Sequence, residues 1–315
     1  MRHALAIDLG GTKCSAAIVD KKGHILSRRT VPVDVSSRLG PVRQILQLAQ
    51  ELSAGKKPKQ VFVAAAVAVP GLVRPNGTVW APNLPGWNNL ALASRLRQSL
   101  GIPVVVESDR NAAVVGECWR GAARGKSDVI VLMIGTGIGA GILSGGRFVR
   151  GAHELSGCAG WLTVMRENVP NIAGTGELES LVSGPAIART ARNGLRDGKE
   201  SSLARLDPSK ITAHEVAAAA RRGDRLARDI FNQRGRLLGF GIANIVSLLD
   251  PQVVILGGGM ASAADLYLES LKTAMLERAQ PLAARQVRIV VSKLGDKVIL
   301  LGCARLAFTG WKERQ

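Results

Sequence analysis

The stretch Ala4-Leu5-Ala6-Ile7-Asp8-Leu9-Gly10-Gly11-Thr12-Lys13-Cys14-Ser15-Ala16-Ala17-Ile18-Val19-Asp20 decides the fold. It reads as a strand (Ala4 to Leu9), a glycine turn and a second strand (Ser15 to Asp20), and a Lys-Lys-Gly turn then leads to a third (Ile25 to Val33). The turn sets an acid at a strand end, two glycines where backbone can approach a ligand closely, and a hydroxyl. Converging amide donors of this kind suit phosphate oxygens, and Asp8 is placed to hold Mg²⁺ through water. The plain alternative is a Gly-Gly hairpin with no ligand.

Shifting the sequence by 124 positions lays this turn over Gly135-Thr136-Gly137-Ile138-Gly139, with Gly11/Gly135, Thr12/Thr136, Ala16/Ala140 and Ile18/Ile142 identical. Strand, glycine-threonine turn and strand recur in the same order, so a duplicated β-meander is expected, its two turns offering donors to one polyphosphate. A third cluster, Gly257-Gly258-Gly259, follows the strand Val253 to Leu256 and precedes a helix, where amides and a helix N-terminus suit a nucleotide. None of these has GxGxxG spacing, and the Gly10 turn leads to a strand and not a helix, which disfavours a dinucleotide fold.

Between the repeats the pattern predicts a helix over Val42 to Leu52 and a strand covered on both faces over the continuous apolar run Val61 to Val69. A turn at Pro75-Asn76-Gly77, a helix from Leu90 to Leu100 and a strand from Val104 to Glu107 follow. Residues from Asp109 read as helical. Beyond the second meander (128–134, 139–143, 147–149), helices dominate from Glu177 to Leu249, with a capping box at Thr212 and Glu215. A helix from Ala261 to about Ala279, a strand Val287 to Val291 and a last helix from Lys297 to Thr309 complete the pattern.

Composition supports a globular enzyme. The chain has 315 residues, 46% hydrophobic and 21% charged, enough for two lobes. Its net charge of +18 suits a nucleotide, polyphosphate or nucleic acid but names no partner, and pairs such as Lys56-Lys57, Arg221-Arg222 and Arg234/Arg236 read mostly as solvated faces. Cys14, Cys118, Cys158 and Cys303 form no CxxC pair, which fits a reducing cytosol. The N-terminus meets Asp8 too soon for a secretory signal. The uncharged stretch 129–146 holds six glycines and reads as strand–turn–strand, not a membrane span.

With three glycine loops in order, nearly the whole chain resembles the ROK family of sugar kinases and related repressors, within the actin/hexokinase/Hsp70-like superfamily. The resemblance rests on residues 8–13, 81–87, 107–117 and 135–141, on Arg150-Gly151-Ala152, and on Leu256 to Gly259. It implies an α/β, two-lobed, actin-like ATPase (ribonuclease H-like) fold with duplicated β-meander, helices and a central cleft. We expect a smaller lobe of residues 1–115 plus 297–315 and a larger one of 116–296. ATP and Mg²⁺ are the implied cofactors, a sugar the implied substrate, a cytoplasmic homodimer the implied state.

The family's Glu-Asn-Asp-Ala-Asn-Ala motif stands here as Glu107-Ser108-Asp109-Arg110-Asn111-Ala112, making Asp109 the expected catalytic base for the attacking hydroxyl. The bland alternative is a helix N-cap. Asp8, Gly10, Gly11, Thr12, Lys13, Gly135, Thr136, Gly137 and Gly257 to Gly259 are the expected phosphate residues. Gly71, Asn83, Ser108, Asp109, Glu179 and Trp161 are the expected sugar-side residues. The sequence departs from the family in one segment. Where the family has Gly-Glu-x-Gly-His and a Cys-rich zinc loop, this chain has Gly157-Cys158-Ala159-Gly160-Trp161, with Pro170, Ile172 and Glu177 at cysteine positions. No family zinc is expected. Packing by Trp161 and Ile172 would hold the loop instead, and a substitute site from His153, Cys158 and Glu177 is the remote alternative. Trp161 suits either a sugar face or the core.

Two further readings follow. One is a catalytically weak sugar- or nucleotide-binding regulator of the same family; the other, a DNA-binding repressor, is disfavoured because only seven residues precede Asp8. Polyphosphate is an alternative phosphoryl donor.

Overall fold

The computed structural model describes residues 3–165 and 174–309. In chain order the elements are β1 (His3–Leu9), β2 (Lys13–Val19), β3 (Ile25–Pro32), α1 (Gly40–Leu52), α2 (Pro58–Val61), β4 (Phe62–Val69), β5 (Leu72–Val73), β6 (Val79–Trp80), α3 (Leu92–Leu100), β7 (Val104–Ser108) and α4 (Asp109–Arg120). Then come β8 (Val129–Ile134), β9 (Ile138–Ser144), β10 (Arg147–Phe148), α5 (Glu177–Val182), α6 (Gly184–Arg196), α7 (Ala213–Arg221), α8 (Arg225–Leu249), β11 (Val253–Gly257), α9 (Leu268–Arg278), α10 (Pro281–Gln286), β12 (Arg288–Val291) and α11 (Val298–Thr309).

Two five-stranded sheets carry these elements, in the orders β3-β2-β1-β4-β7 and β10-β9-β8-β11-β12. The orders are the same once β10, β9, β8, β11 and β12 are matched to β3, β2, β1, β4 and β7. In the first sheet β1 pairs with β2 antiparallel and with β4 parallel, and β4 with β7 parallel; in the second, β8–β11 and β11–β12 are parallel and β9–β10 antiparallel. The repeat seen over a few positions thus extends to a whole mixed α/β sheet.

The chain divides into two compact units. The first comprises 1–127, 141–156 and 293–315, the second 128–140 and 157–292. In the first unit β4 lies between β1 and β7, parallel to both, and its unbroken apolar run is buried along nearly its whole length because helices cover this part of the sheet on both faces. β3 is an edge strand, with Arg29 among its exposed positions, and charge there discourages pairing with other chains. Trp87 is 0% exposed in the core and donates its indole N–H to Arg38 O at 2.8 Å, meeting the one polar requirement of a buried tryptophan.

α4 and α11 pack backbone to backbone in this unit. A Cβ on Gly116 would strike Val298 O, and one on Gly302 would strike Ala112 O, so glycine on both helices sets their separation. That contact fixes the helix whose first residue is Asp109.

In the second unit the Thr212 and Glu215 capping box starts α7 as the sequence implies. The single helix expected over 261–279 is interrupted: a 3₁₀ segment (Gly259–Leu266) gives way to α9 at Tyr267, whose backbone leaves helical geometry while its hydroxyl donates to Met260 O at 3.1 Å. No described helix is long and apolar enough to cross a membrane.

Candidate active site

Asp109 stands at the first position of α4, directly after β7. The cap is not Asp109 but Ser108, whose backbone is extended and whose Oγ accepts the Asn111 N–H at 3.3 Å. Asp109 is therefore released from the capping role; its Oδ1 accepts the neighbouring Arg110 N–H at 2.8 Å. Burial pushes its carboxyl above the usual range, against the pull of the Arg110 charge and N–H. A carboxylate of raised basicity at a helix start is a competent proton acceptor.

Two positions before Asp109, Glu107 is buried and fully engaged. Its Oε2 meets Arg150 Nη2 at 2.6 Å, and its Oε1 accepts from Arg150 Nη1 (3.2 Å), Asn111 Nδ2 (3.0 Å) and Ser108 N (2.9 Å). Arg150 Nη1 also reaches Glu154 Oε2 at 3.3 Å, and Arg110 Nη1 donates to Ser156 O at 3.2 Å. These bonds tie the 150–156 loop to the N-terminal turn of α4. The sequence marked Arg150 only as part of a motif; its pairing with a residue 43 positions away had no local signal.

Asp8 ends β1 in the same unit. Burial first and the Asp109 charge second raise its pKa to about 6, with Lys13 and Arg28 opposing. The turn behind it closes by Gly10 N–H to Lys13 O at 2.9 Å, leaving Gly11, Thr12 and Lys13 exposed. Asn83 lies beside Gly11: a Cβ built there would sit 3.7 Å from Asn83 Cβ. Gly71 stands apart, following β4, where a side chain would collide with Trp80 O, so hairpin geometry explains that glycine.

In the second unit, Gly135, Thr136 and Gly259 line a cavity of about 580 Å³ with Arg192, Thr212, His214 and Arg221. Nothing stands within 4 Å of a Cβ on Gly259, and one on Gly135 meets only Gly259 N at 4.0 Å, so both glycines open onto free space. Gly258 has φ +80° and lies against Ile134 O, and Gly257 ends β11 outside the cavity lining. Arg221 closes one wall with a two-pronged pair to Asp265 (2.7 and 2.9 Å) and a bond to Ser262 O. Arg221 is exposed, as the solvated-face reading has it, and its partner Asp265 is exposed too; the pair lies at the cavity's rim. Sequence gave no pointer to Arg192 or His214, because they come from separate helices.

Glu179 on α5 accepts the Ile138 N–H at 2.7 Å, directly after Gly137, whose Cβ would lie 2.9 Å from that carboxylate. One oxygen of Glu179 therefore orders the exit of the second glycine turn.

A family model described as the ROK family matches residues 4–309. The chain belongs to the ROK family. A glucokinase of Halalkalibacterium halodurans is 30% identical over 100% of this chain and 96% of its own. A Streptomyces griseus ROK glucokinase solved with glucose and AMPPNP is 31% identical, with TM-score 0.82 over 98% of this chain and 100% of that one. A xylose repressor of Caldicellulosiruptor bescii is 28% identical, over 97% of this chain and 78% of the repressor. The mixed α/β fold with its duplicated sheet is that of ROK sugar kinases.

The segment where the sequence leaves the family's pattern is built differently from expectation. Trp161 is 62% exposed, so it fills no core, and packing by it does not hold the loop. Ile172 and Pro170 lie outside the described residues. Glu177 instead accepts Val164 N–H (2.7 Å) and Met165 N–H (2.9 Å), fixing the near end of the segment by hydrogen bonds. Among the described residues no group of His, Cys, Asp and Glu is gathered as a metal site.

Proposed function

We propose that this ROK protein is an ATP-dependent carbohydrate kinase that transfers the γ-phosphoryl group to a sugar hydroxyl, with Asp109 as general base. The observation that carries the reading is the freedom of the Asp109 carboxylate: Ser108 does the capping, while burial raises the basicity of Asp109. The acceptor oxygen attacks the γ-phosphorus as its proton passes to Asp109, the bond to the bridging oxygen breaks, and ADP leaves. Sequence similarity to glucokinases over the full chain, and a glucose- and AMPPNP-bound relative, support hexose or hexosamine as acceptor and ATP as donor.

The cavity beside Gly135, Thr136 and Gly259 fits a nucleotide, since glycine there leaves room for phosphate against backbone. Asp8, a partly buried carboxyl lifted to about 6 beside Asp109, suits a divalent cation held through water. Mg²⁺ bound there would neutralise charge on the transferring phosphoryl group. Asp8 and Asp109 repel each other when both are ionised, so the cation also relieves that repulsion.

A second reading, a sugar- or nucleotide-binding regulator with little turnover, is favoured by the commitment of two acceptor-side residues: the Ser108 hydroxyl to its cap and one Glu179 oxygen to Ile138. Turnover across a panel of hexoses and aminosugars, with ATP or polyphosphate as donor, separates the two. ATP-dependent sugar phosphorylation supports the kinase; tight ligand binding without any turnover supports the regulator.

A further inference from the structure

The second unit contains another cavity, of about 630 Å³, that shares no lining residue with the nucleotide cavity. α6 and α8 form its walls, with Thr190, Asn193, Gln233 and Arg234 among the polar residues and Lys199 at its edge. Its volume is typical of a small-molecule site.

Arg234 is the unusual member. Its Nη2 donates to Thr190 Oγ1 at 2.8 Å, but its Nε–H is buried with no acceptor. Among the described residues no carboxylate pairs with it. Arg189 is its charged neighbour, and burial together with that like charge disfavours the Arg234 cation. This guanidinium makes no ion pair although Asp197, Glu200 and Asp229 line the same cavity, and its planar fork suits phosphate. The solvated-face reading of Arg234 is corrected by the same facts. Asn193, Gln233, Asp197 and Asp229 supply both donors and acceptors for hydroxyl groups.

We propose that this cavity is a second ligand site that takes a small phosphorylated polyol, a sugar phosphate, with its phosphate on Arg234 and Lys199 and its hydroxyls on Asn193, Gln233 and the acidic rim. α6 connects it to the nucleotide cavity: Thr190, Asn193 and Gly194 face this site, whereas Pro185, Ala188 and Arg192 line the other. The N-terminus of α6 is bonded to the second glycine turn through Gly184 N–H to Gly135 O at 2.9 Å. A ligand that shifts α6 therefore acts on nucleotide affinity, and by linkage ATP acts equally on the ligand.

Calorimetry on the full chain tests this with glucose 6-phosphate, glucose and inorganic phosphate, each with the nucleotide site saturated by AMPPNP. Glucose 6-phosphate is expected to bind one-to-one under saturation, at least tenfold more tightly than inorganic phosphate. Arg234→Met should weaken that binding tenfold or more, and Lys199→Met, at an exposed position that the fold does not need, several-fold, with AMPPNP affinity retained in the second variant. Loss of the binding on AMPPNP saturation, equal affinity for inorganic phosphate, or no change in both variants would overturn the proposal. The readout is binding and not turnover, so it stands or falls separately from the kinase reading.

Discussion

The guanidinium of Arg150 and the carboxylate of Glu107 form a two-pronged pair, at 2.6 and 3.2 Å, with the carboxylate buried and the guanidinium half-open. Two further donors, Asn111 Nδ2 and Ser108 N, complete the shell of Glu107. Removing one member leaves the other charge uncompensated, which costs about 3 kcal/mol at such sites. Glu107→Ala is expected to destabilise the first unit by that order in urea unfolding. Arg150→Ala should cost a similar amount and Arg150→Lys less, though not nothing, because an ammonium cannot span both carboxylate oxygens.

Asp109→Asn should lower kcat by a factor on the order of 10²–10⁴ while leaving ATP affinity nearly unchanged. Ser108 still caps α4 in that variant, so the fold is retained. Undiminished turnover would refute the assignment of Asp109 as base.

Asp8 links stability to pH. Its folded pKa of about 6 lies above the ordinary value of 3.8, so the fold disfavours its ionised form. Stability of the ligand-free protein is expected to fall as pH rises from about 4 to about 6 and then to level off for this group. Asp8→Asn should be more stable than the parent at pH 8, by about 3 kcal/mol at most, with the difference gone near pH 4. Denaturation midpoints at the two pH values check the sign.

Gly258 occupies φ +80° with Ile134 O where a Cβ would go. Gly258→Ala meets both backbone strain and a collision with main chain, and is expected to cost about 1–3 kcal/mol. The loop leading to Gly259 must shift, so AMPPNP affinity should fall along with the unfolding midpoint. Calorimetry beside a thermal melt separates the two effects.

The tryptophans give opposite expectations. Trp87→Ala empties a fully buried site and should cost about 3–5 kcal/mol. Trp161→Ala removes a side chain that is 62% exposed and should change stability by less than about 0.5 kcal/mol. If Trp161 stacks on the acceptor sugar, the same variant raises KM for the sugar with kcat little changed, which steady-state kinetics will read.

Much of the first sheet was legible because its signals are local: the apolar run of β4, the glycine turns and the periodicity of α1 each announce themselves within a few residues. The Thr212–Glu215 box was legible for the same reason. The break at Tyr267 was not, because a buried hydroxyl bonded to Met260 O decides it and helical periodicity continues through it. Arg221 is surface charge as it looked, but the buried Nε of Arg234 was not legible, since an arginine carries no mark of burial in its neighbours. Trp161 was ambiguous because tryptophan serves core and surface equally well.

The amino-acid sequence by itself determined the duplicated meander, the order of the glycine loops, membership of the ROK family and the candidacy of Asp109, all of which depend on residue type at short spacing. Only the tertiary structure decided that Ser108, not Asp109, caps α4, that Arg150 reaches Glu107, that Glu179 and Glu177 each serve backbone N–H groups, and that Arg234 lies beside a cavity without a carboxylate partner. These depend on which side chains burial and backbone approach bring within hydrogen-bonding distance, and that distance is set by packing between elements far apart in the chain.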